Sequence, residues 1–359
     1  MKRKKKRTSW PMALLSRLII ITAAAALVLS YLSTLINPAT FTPPLFFGLY
    51  FIPLVAINLL ILVIGIVRRS GAAWITFVAL LPSILYAELF VRWGDVQRGD
   101  EGISLKVCTY NVGLFAQGSG GMSRTASLEG VSGFVAEQQP QVVCLQEFHI
   151  KDTNEIAKRF PDYPYRYYHL FRGRGNSRFG NITLSQLPIV NQGKITFKGS
   201  TNICIYTDIE HFGKVIRVYN THLESHSISF TALVKRLRER EKFTDEIYEV
   251  HDKVAGTFRK RSLQVDTIAG HMHDSNLPAI VCGDFNDTPM SYTYKNLAFH
   301  KRDSFRQAGK GFSATYSLMW PLLRIDYILY PAPYWSLSHK TPRIEYSDHY
   351  PVVSELIIP

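Results

Sequence analysis

The chain has 359 residues, 47% hydrophobic and 19% charged, a balance that excludes a disordered polymer and allows one large domain plus something smaller. Its formal net charge of +13, from 41 basic and 28 acidic side chains, invites a nucleic-acid-binding reading until the charge is located. The first 99 residues hold 11 basic residues against two acidic ones, Glu88 and Asp95, so +9 belongs there and only +4 to the remainder. Four cysteines (Cys108, Cys144, Cys204, Cys282) form no C-x-x-C pair, and three lie inside apolar runs, so they read as buried thiols and not as a zinc knot or disulfide framework.

In chain order, the basic run Lys2 to Arg7 is followed by three expected membrane spans at about residues 14–36, 45–67 and 72–91. Leu18 to Ile36 is uncharged and, at ~1.5 Å per residue, long enough to cross a ~30 Å hydrocarbon core. The third stretch contains Pro82 and, at its outer edge, Glu88, which reads as a headgroup-level residue. A cleavable signal peptide explains the first stretch less well, because two more apolar stretches follow it. Lys/Arg bias puts the N-terminus and Arg68/Arg69 in the cytoplasm and the uncharged loop Asn37 to Pro44 on the opposite side. The run KRKKKR then sets topology and touches anionic lipid. Three spans that start inside end outside, so the expectation is a multi-pass protein of the inner (cytoplasmic) membrane. Residues 1–99 form its anchor, and residues 102–359 form a soluble domain on the periplasmic or extracellular side.

The soluble part alternates short strands, turns and a few helices. Strands are expected at Leu105–Val112, Val142–Gln146, Thr183–Ser185, Lys194–Phe197, Ile203–Ile209, Val215–Thr221, Ala279–Cys282, Ile325–Tyr330 and Val352–Ile358. Two of these join through His211-Phe212-Gly213 as a hairpin. Helices are expected at Thr125–Gln138, Asp152–Phe160, Arg236–Tyr248 and Phe258–His273. The pattern fits an α+β four-layer αβ-sandwich, two packed, mainly antiparallel sheets flanked by helices and preceded by the three transmembrane helices.

Apolar runs repeatedly end in acidic, amide or imidazole residues: Asn111, Glu147, His222, Asp284 with Asn286, Asp326, and Asp348-His349. One such residue would read as a cap or turn. Six motifs of this kind, delivered by one sandwich to a common rim, can converge in a single cleft. Carboxylates and amides with few imidazoles suit a hard cation, Mg²⁺ or Mn²⁺, and not zinc. A histidine oriented by a carboxylate is a general base, and the combination points to phosphoester hydrolysis by an activated water.

The ordered motifs Tyr110-Asn111-Val112, Leu145-Gln146-Glu147, Asn220-Thr221-His222, Gly283-Asp284-Phe285-Asn286, Ile325-Asp326-Tyr327 and Ser347-Asp348-His349-Tyr350-Pro351 resemble those of the endonuclease/exonuclease/phosphatase superfamily. That fold is shared by pancreatic deoxyribonuclease, apurinic endonucleases, neutral sphingomyelinases and inositol polyphosphate 5-phosphatases. The resemblance covers about Ser104 to Ile358. It implies Glu147 as principal metal ligand, with Asn111 beside it holding metal or phosphate and Asp348 helping. It also implies that Asp284 orients the nucleophilic water or contacts a second metal position, and that Asn286 and His222 donate to the phosphate. His349 becomes the general base, paired with Asp326. Asn181, in a segment resembling the family's G-N-x-x-L-S, is expected to line the cleft, and Arg178, in the Gly/Arg-rich stretch FRGRGNSRFG, to read phosphate. Gly113 replaces an acidic residue found in some nucleolytic members, and Gln141 a frequent Asp.

The expected substrate is a phosphodiester, in a phospholipid headgroup or in nucleic acid. Anchoring beside a bilayer favours lipid, as in sphingomyelinases and glycosylphosphatidylinositol-remodelling proteins. Tyr292, Tyr294, Phe299, Trp320, Tyr334 and Trp335 are candidates for a lipid-facing rim. A nuclease needs a basic footprint, for which Arg166, Arg172, Arg174 and Arg178, or Arg236, Arg238 and Arg240, are candidates. A non-catalytic binding module would need a broken ligand set, and this set is complete.

Overall fold

The computed structural model describes residues 10–93, 101–225, 243–312 and 314–359, with side chains between 243 and 251 outside the description. The run Lys2 to Arg7, Arg236, Arg238, Arg240 and the first part of the expected helix at Arg236–Tyr248 lie outside the described residues. The chain divides into two compact units, Met1–Ala87 with Met290–Tyr292, and Glu88–Pro289 with Thr293–Pro359.

The first unit holds helices α1 (Trp10–Leu32), α2 (Pro43–Leu49), α3 (Phe51–Val67), α4 (Ala73–Leu80) and α5 (Ser83–Tyr86). Of the three expected spans, one is a single helix long and apolar enough to cross a bilayer, the 23-residue α1. The second is broken: α2 and α3 meet at 74°. Pro53 lacks an N–H, and its ring would strike the carbonyl of Leu49 in a continuous helix, so the chain turns at Tyr50. Pro82 opposes Val78 in the same way and ends α4 at Leu80, shortening the third segment. The unit buries polar side chains among Leu27, Leu45 and Phe51 and exposes apolar ones. Ser30, Ser33, Asn58 and Thr76 are buried, with the Asn58 amide donating to the Ala23 carbonyl at 3.0 Å, while Leu18, Leu60, Val63 and Val78 are exposed.

The second unit is built on two six-stranded mixed sheets. Its strands in chain order are β1 (Val91–Arg92), β2 (Ile103–Asn111), β3 (Val142–Ile150), β4 (Tyr165–Arg172), β5 (Arg178–Ser185), β6 (Ile189–Thr196), β7 (Ile203–His211), β8 (Lys214–His222), β9 (Ala279–Asp284), β10 (Lys301–Asp303), β11 (Gly311–Phe312), β12 (Asp326–Pro331), β13 (Trp335–Lys340) and β14 (Val352–Ile358). One sheet runs β13-β14-β2-β3-β5-β4 and the other β10-β12-β9-β8-β7-β6, with β1 and β11 forming a separate ribbon. Leu105, Val107 and Leu356 from the first sheet interdigitate with Ile216, Val218 and Ile280 from the second. Helices α6 (Arg124–Gln138) and α7 (Asn154–Arg159) cover the outer face of the first sheet through Leu128, Val131, Val135 and Ile156. The long helix α8 (Phe243–His273) buries Phe258, Val265 and Ile268. Short helices α9 (Tyr292–Leu297) and α10 (Ser304–Ala308) flank β10. All four cysteines are buried and free.

Each sheet has one parallel pair at its centre, β2–β3 and β8–β9, and every other pairing is antiparallel. Parallel neighbours end on the same edge. The C-terminal ends of β2, β3, β8 and β9 therefore share a rim with the N-terminal ends of their antiparallel partners β12 and β14. The Gly/Arg-rich stretch is half strand: β4 and β5 extend to Arg172 and Arg178, which face each other and leave residues 173–177 as the turn.

Candidate active site

That rim gathers the polar strand ends. Asn111 closes β2, and its amide donates to Asp284 Oδ2 at 2.9 Å and to Glu147 Oε1 at 3.3 Å, while its Oδ1 accepts the Gly113 N–H. In this orientation Asn111 ties two carboxylates from different sheets together. Glu147 sits in a β-bulge of β3 between Leu145 and Phe148, in the left-handed region at φ 51°. The extra residue turns its side chain toward the rim. His222, closing β8, lies opposite Asp284 in the parallel ladder, and its Nε2 is 3.4 Å from Glu147 Oε1.

Asp284 is 1% exposed and receives the Asn286 backbone N–H at 2.8 Å and the Asn286 side-chain amide at 3.1 Å. Asn286, also left-handed at φ 53°, donates in addition to the Leu223 carbonyl. Across the antiparallel ladder Asp326 faces Asp284, and Asp326 Oδ2 meets His349 Nδ1 at 2.9 Å. The other ring nitrogen of His349 is 3.9 Å from Asp284 Oδ2. Thr315 Oγ1 accepts the Asp326 backbone N–H, and the Tyr316 ring packs edge-on against the His349 ring at 5.3 Å. Ser347 Oγ donates to the Asn111 carbonyl and to Asp348, fixing the loop that presents Asp348 and His349.

The electrostatics follow from crowding acids in a dry site. Burial, then the facing Asp326, raises the Asp284 carboxyl; the two histidines and Asn111 oppose the rise. Burial, with Glu147 nearby, raises Asp348 against the pull of His349. For His349 burial alone would lower the imidazole, but Asp326, Asp284 and Asp348 outweigh it and push the ring up to about 10.

The residues fit a divalent cation. One ligand atom each from Asp284, Asp326 and His349 lies within 4.8 Å of the others, and Asp326 Oδ1 is buried without a hydrogen-bond partner. Four carboxylates (Glu147, Asp284, Asp326, Asp348) face two imidazoles, an arrangement of hard oxygen donors short of positive charge.

Eight of the ten expected site residues thus meet at one rim. Asn181 and Arg178 do not join them. Asn181 is 1% exposed and donates to the backbone carbonyls of Ile203 and Asn220 between the sheets. Arg178 opens β5, exposed, with no ion pair among the described residues. Sequence reasoning gave no role to Gln146, whose amide reaches Thr109, the Cys144 carbonyl and Asn220 Oδ1, or to Asn220, which donates to the Ile182 carbonyl. Both belong to the ordered motifs, and that membership was the available signal. Tyr316 had none.

A family model described as the Endonuclease/Exonuclease/phosphatase family matches residues 108–349. The chain belongs to this family. A second model, for a domain of unknown function, matches residues 12–89. No curated protein matches the chain. Among solved structures, an endonuclease/exonuclease/phosphatase from Beutenbergia cavernae is similar at a TM-score of 0.53 and 19% identity, over 71% of this chain and 72% of that one. Humanized D. rerio TDP2 is similar at 0.52 and 16% identity, over 71% of this chain and 99% of that one. The human Nocturnin catalytic domain, solved with a bound sulfate anion, is similar at 0.51 and 18% identity, over 72% and 96%. At such identities the likeness is one of fold.

Proposed function

We propose that the protein is a membrane-anchored, divalent-metal-dependent phosphodiesterase acting on a phosphodiester in a lipid headgroup. The observation that carries the hydrolytic reading is the His349–Asp326 contact at 2.9 Å, set against Asp284 on the neighbouring strand. Glu147 and Asp348, with Asn111 beside them, would hold Mg²⁺ or Mn²⁺, and the ion would offset charge building on the phosphoryl oxygens. With Asp348, one of the three carboxylates that hold the His349 proton, neutralised by the bound ion, Nε2, the ring nitrogen not held by Asp326, would then accept a proton from water. Asp326 fixes the ring through Nδ1. Asp284 orients the water. As its oxygen bonds to phosphorus, the bond to the leaving alkoxide breaks and His349 takes the water proton. Asn286 and His222 donate to the phosphoryl oxygens.

The exposed Leu and Val side chains of the first unit support the anchor, since helices that turn such residues outward while burying Ser and Asn contacts suit a lipid solvent. On this reading residues 1–99 anchor the catalytic domain at 102–359, with the N-terminus cytoplasmic and the catalytic domain outside the cytoplasmic membrane. A nuclease is the second reading. It is favoured by the basic strip in which exposed Arg172 and Arg178 pair across the β4–β5 hairpin.

The test assays full-length protein in detergent on bis-p-nitrophenyl phosphate, with Mg²⁺, Mn²⁺ or EDTA, and then on phospholipid vesicles and plasmid DNA side by side. Metal-dependent, EDTA-sensitive turnover with preference for lipid is expected. DNA cleavage alone overturns the lipid assignment, and no turnover with any divalent ion returns the chain to a binding module. Alkaline phosphatase fused after Gly99 should be active.

A further inference from the structure

A second cluster of charge lies outside the catalytic rim. Arg92 on β1, Lys301 and Arg302 on β10, and Arg306 on α10 line a cavity of about 300 Å³ together with Glu88, Asp303 and Gln307. Strand pairing holds it in shape: Arg92 is registered against Gly311, and Lys301 against Pro331. Asp303 is turned away from the cavity's charge balance, since its carboxylate is buried against Arg324 at 2.8 Å and accepts the Tyr294 hydroxyl. One carboxylate, Glu88, is left to face four cations, at 3.4 Å from Arg92 and 3.8 Å from Arg306.

Arg302 is committed through one nitrogen to the Tyr334 carbonyl. Lys301 is half-buried, and among the described residues its ammonium has neither an ion-pair partner nor a hydrogen bond. Burial lowers its pKa, a cost that an anion in the cavity would remove. Large exposed aromatics flank the strands that build the cavity. Trp93, next to Arg92, is 76% exposed, and Phe299, two residues before Lys301, is 64% exposed.

We propose that this cavity binds the phosphate of an anionic phospholipid headgroup while Trp93 and Phe299 insert at the interface, docking the catalytic domain on the bilayer. The occupant is set by charge complementarity and by chain connectivity. Arg92 follows Ala87, the end of the apolar unit, by five residues, at most about 18 Å of extended chain. Cations and Trp or Phe at such a position suit headgroup phosphate and the acyl boundary, and they do not suit the nonionic remainder of a lipid. The inference rests on the anchored reading above and adds to it a lipid-recognition site separate from the catalytic rim.

The test uses full-length protein, delipidated in detergent and titrated with phosphatidylglycerol or phosphatidylcholine of the same acyl chains, bound copies being counted by native mass spectrometry. Phosphatidylglycerol should bind about tenfold tighter or more, since each basic residue near an anionic headgroup contributes about 1 kcal/mol. The triple variant Lys301→Gln/Arg302→Gln/Arg306→Gln should fall to the phosphatidylcholine level. Arg306→Gln alone, at an exposed position, should show a partial loss without any folding defect. Equal binding of the two lipids overturns the proposal, as does a preference that the variants leave intact. Inorganic phosphate that binds to the wild type while the lipids do not discriminate identifies a free-anion site and also overturns it. Carbonate extraction of cell membranes reads the anchoring separately: release of the protein into the supernatant refutes the anchor, whatever the lipid titration gives.

Discussion

Replacing Asp326 by Asn is the sharpest perturbation of the proposed chemistry, because it is isosteric at a position held from all sides. The residue is 1% exposed, its backbone N–H is fixed by Thr315, and its strand pairs with β9 from Asp326 to Leu329. Asp326 Oδ2 accepts a hydrogen bond from His349 Nδ1 at 2.9 Å, which leaves Nε2 on the side of Asp284. An amide that donates to Nδ1 would force the ring proton onto Nε2, the wrong tautomer for taking a proton from water. Loss of the equivalent carboxylate in a histidine-centred site costs up to roughly 10⁴ in turnover, or ~5.5 kcal/mol, with substrate affinity little changed. Removing the carboxylate also removes the largest force holding the imidazole up at about 10, so burial should carry its pKa downward. Two assays check this: kcat and KM on bis-p-nitrophenyl phosphate at saturating Mn²⁺, and an NMR titration of the imidazole in EDTA-treated protein. Turnover within a few-fold of wild type, with an unmoved imidazole titration, would refute both the pairing and the role proposed for His349.

His349→Ala and Asp284→Ala should each lose at least ~10²-fold in turnover, measured on the same substrate. Saturating Mg²⁺ or Mn²⁺ should raise the thermal midpoint by several degrees, since occupancy at 100 times Kd contributes ~2.7 kcal/mol; an unchanged midpoint would argue against a metal among the four carboxylates. In metal-free protein the His349 imidazole is raised above its ordinary value of ~6.5, so its contribution to stability should be complete below that pH and be lost as pH climbs toward about 10. Pulse proteolysis of EDTA-treated wild type and His349→Gln across that window checks the sign. Arg324→Met should destabilise the fold by about 3–5 kcal/mol, because it leaves Asp303 buried and unpaired; adding Asp303→Asn should recover part of the loss in a double-mutant cycle.

The core strands were legible because both of their faces, or one whole face, are apolar. Val142–Ile150, Ile203–His211 and Val352–Ile358 stand out as runs of β-branched and aromatic residues. Strands β4 and β13 were not legible, and both lie at the outer edges of their sheet. Tyr165–Arg172 is half-exposed along its length and mixes aromatic with basic residues without a period of two, so it carries no hydrophobic signal. Trp335–Lys340 is mostly polar for the same reason. The prolines hid the second difference: hydropathy sums over Leu45 to Val67 and cannot see that Pro53 removes the helix at Tyr50. Asn181 misled because its motif is shared with cleft residues, whereas its amide is used between the sheets, a pairing that exists only once β5 and β8 have met.

The strand-end motifs were legible one at a time; their convergence has a backbone cause that no single motif contains. Gly283 stands at φ 133°, and a Cβ there would lie 1.9 Å from the Thr221 carbonyl oxygen, so only glycine lets β9 approach β8 closely enough to set Asp284 opposite His222. Glu147 and Asn286 both hold left-handed backbone, which for a residue with a Cβ costs roughly 1–2 kcal/mol. Asn tolerates that conformation through local hydrogen bonds, and Asn286 makes them, to Asp284 and to the Leu223 carbonyl. Glu147 has no such relief. A glutamate kept in a strained bulge within β3, where its antiparallel pairing with β5 shifts register, is destabilising for the sheet, and the surrounding ladder over-determines it. The strain does accomplish one thing: it turns a side chain that would follow Gln146 into the alternation of β3 toward Asn111 and His222 instead. That is the geometry a carboxylate needs in order to act at the rim and not in the core, and on the proposed reading it puts the chemistry of the motif Leu145-Gln146-Glu147 on the one residue whose backbone departs from the strand.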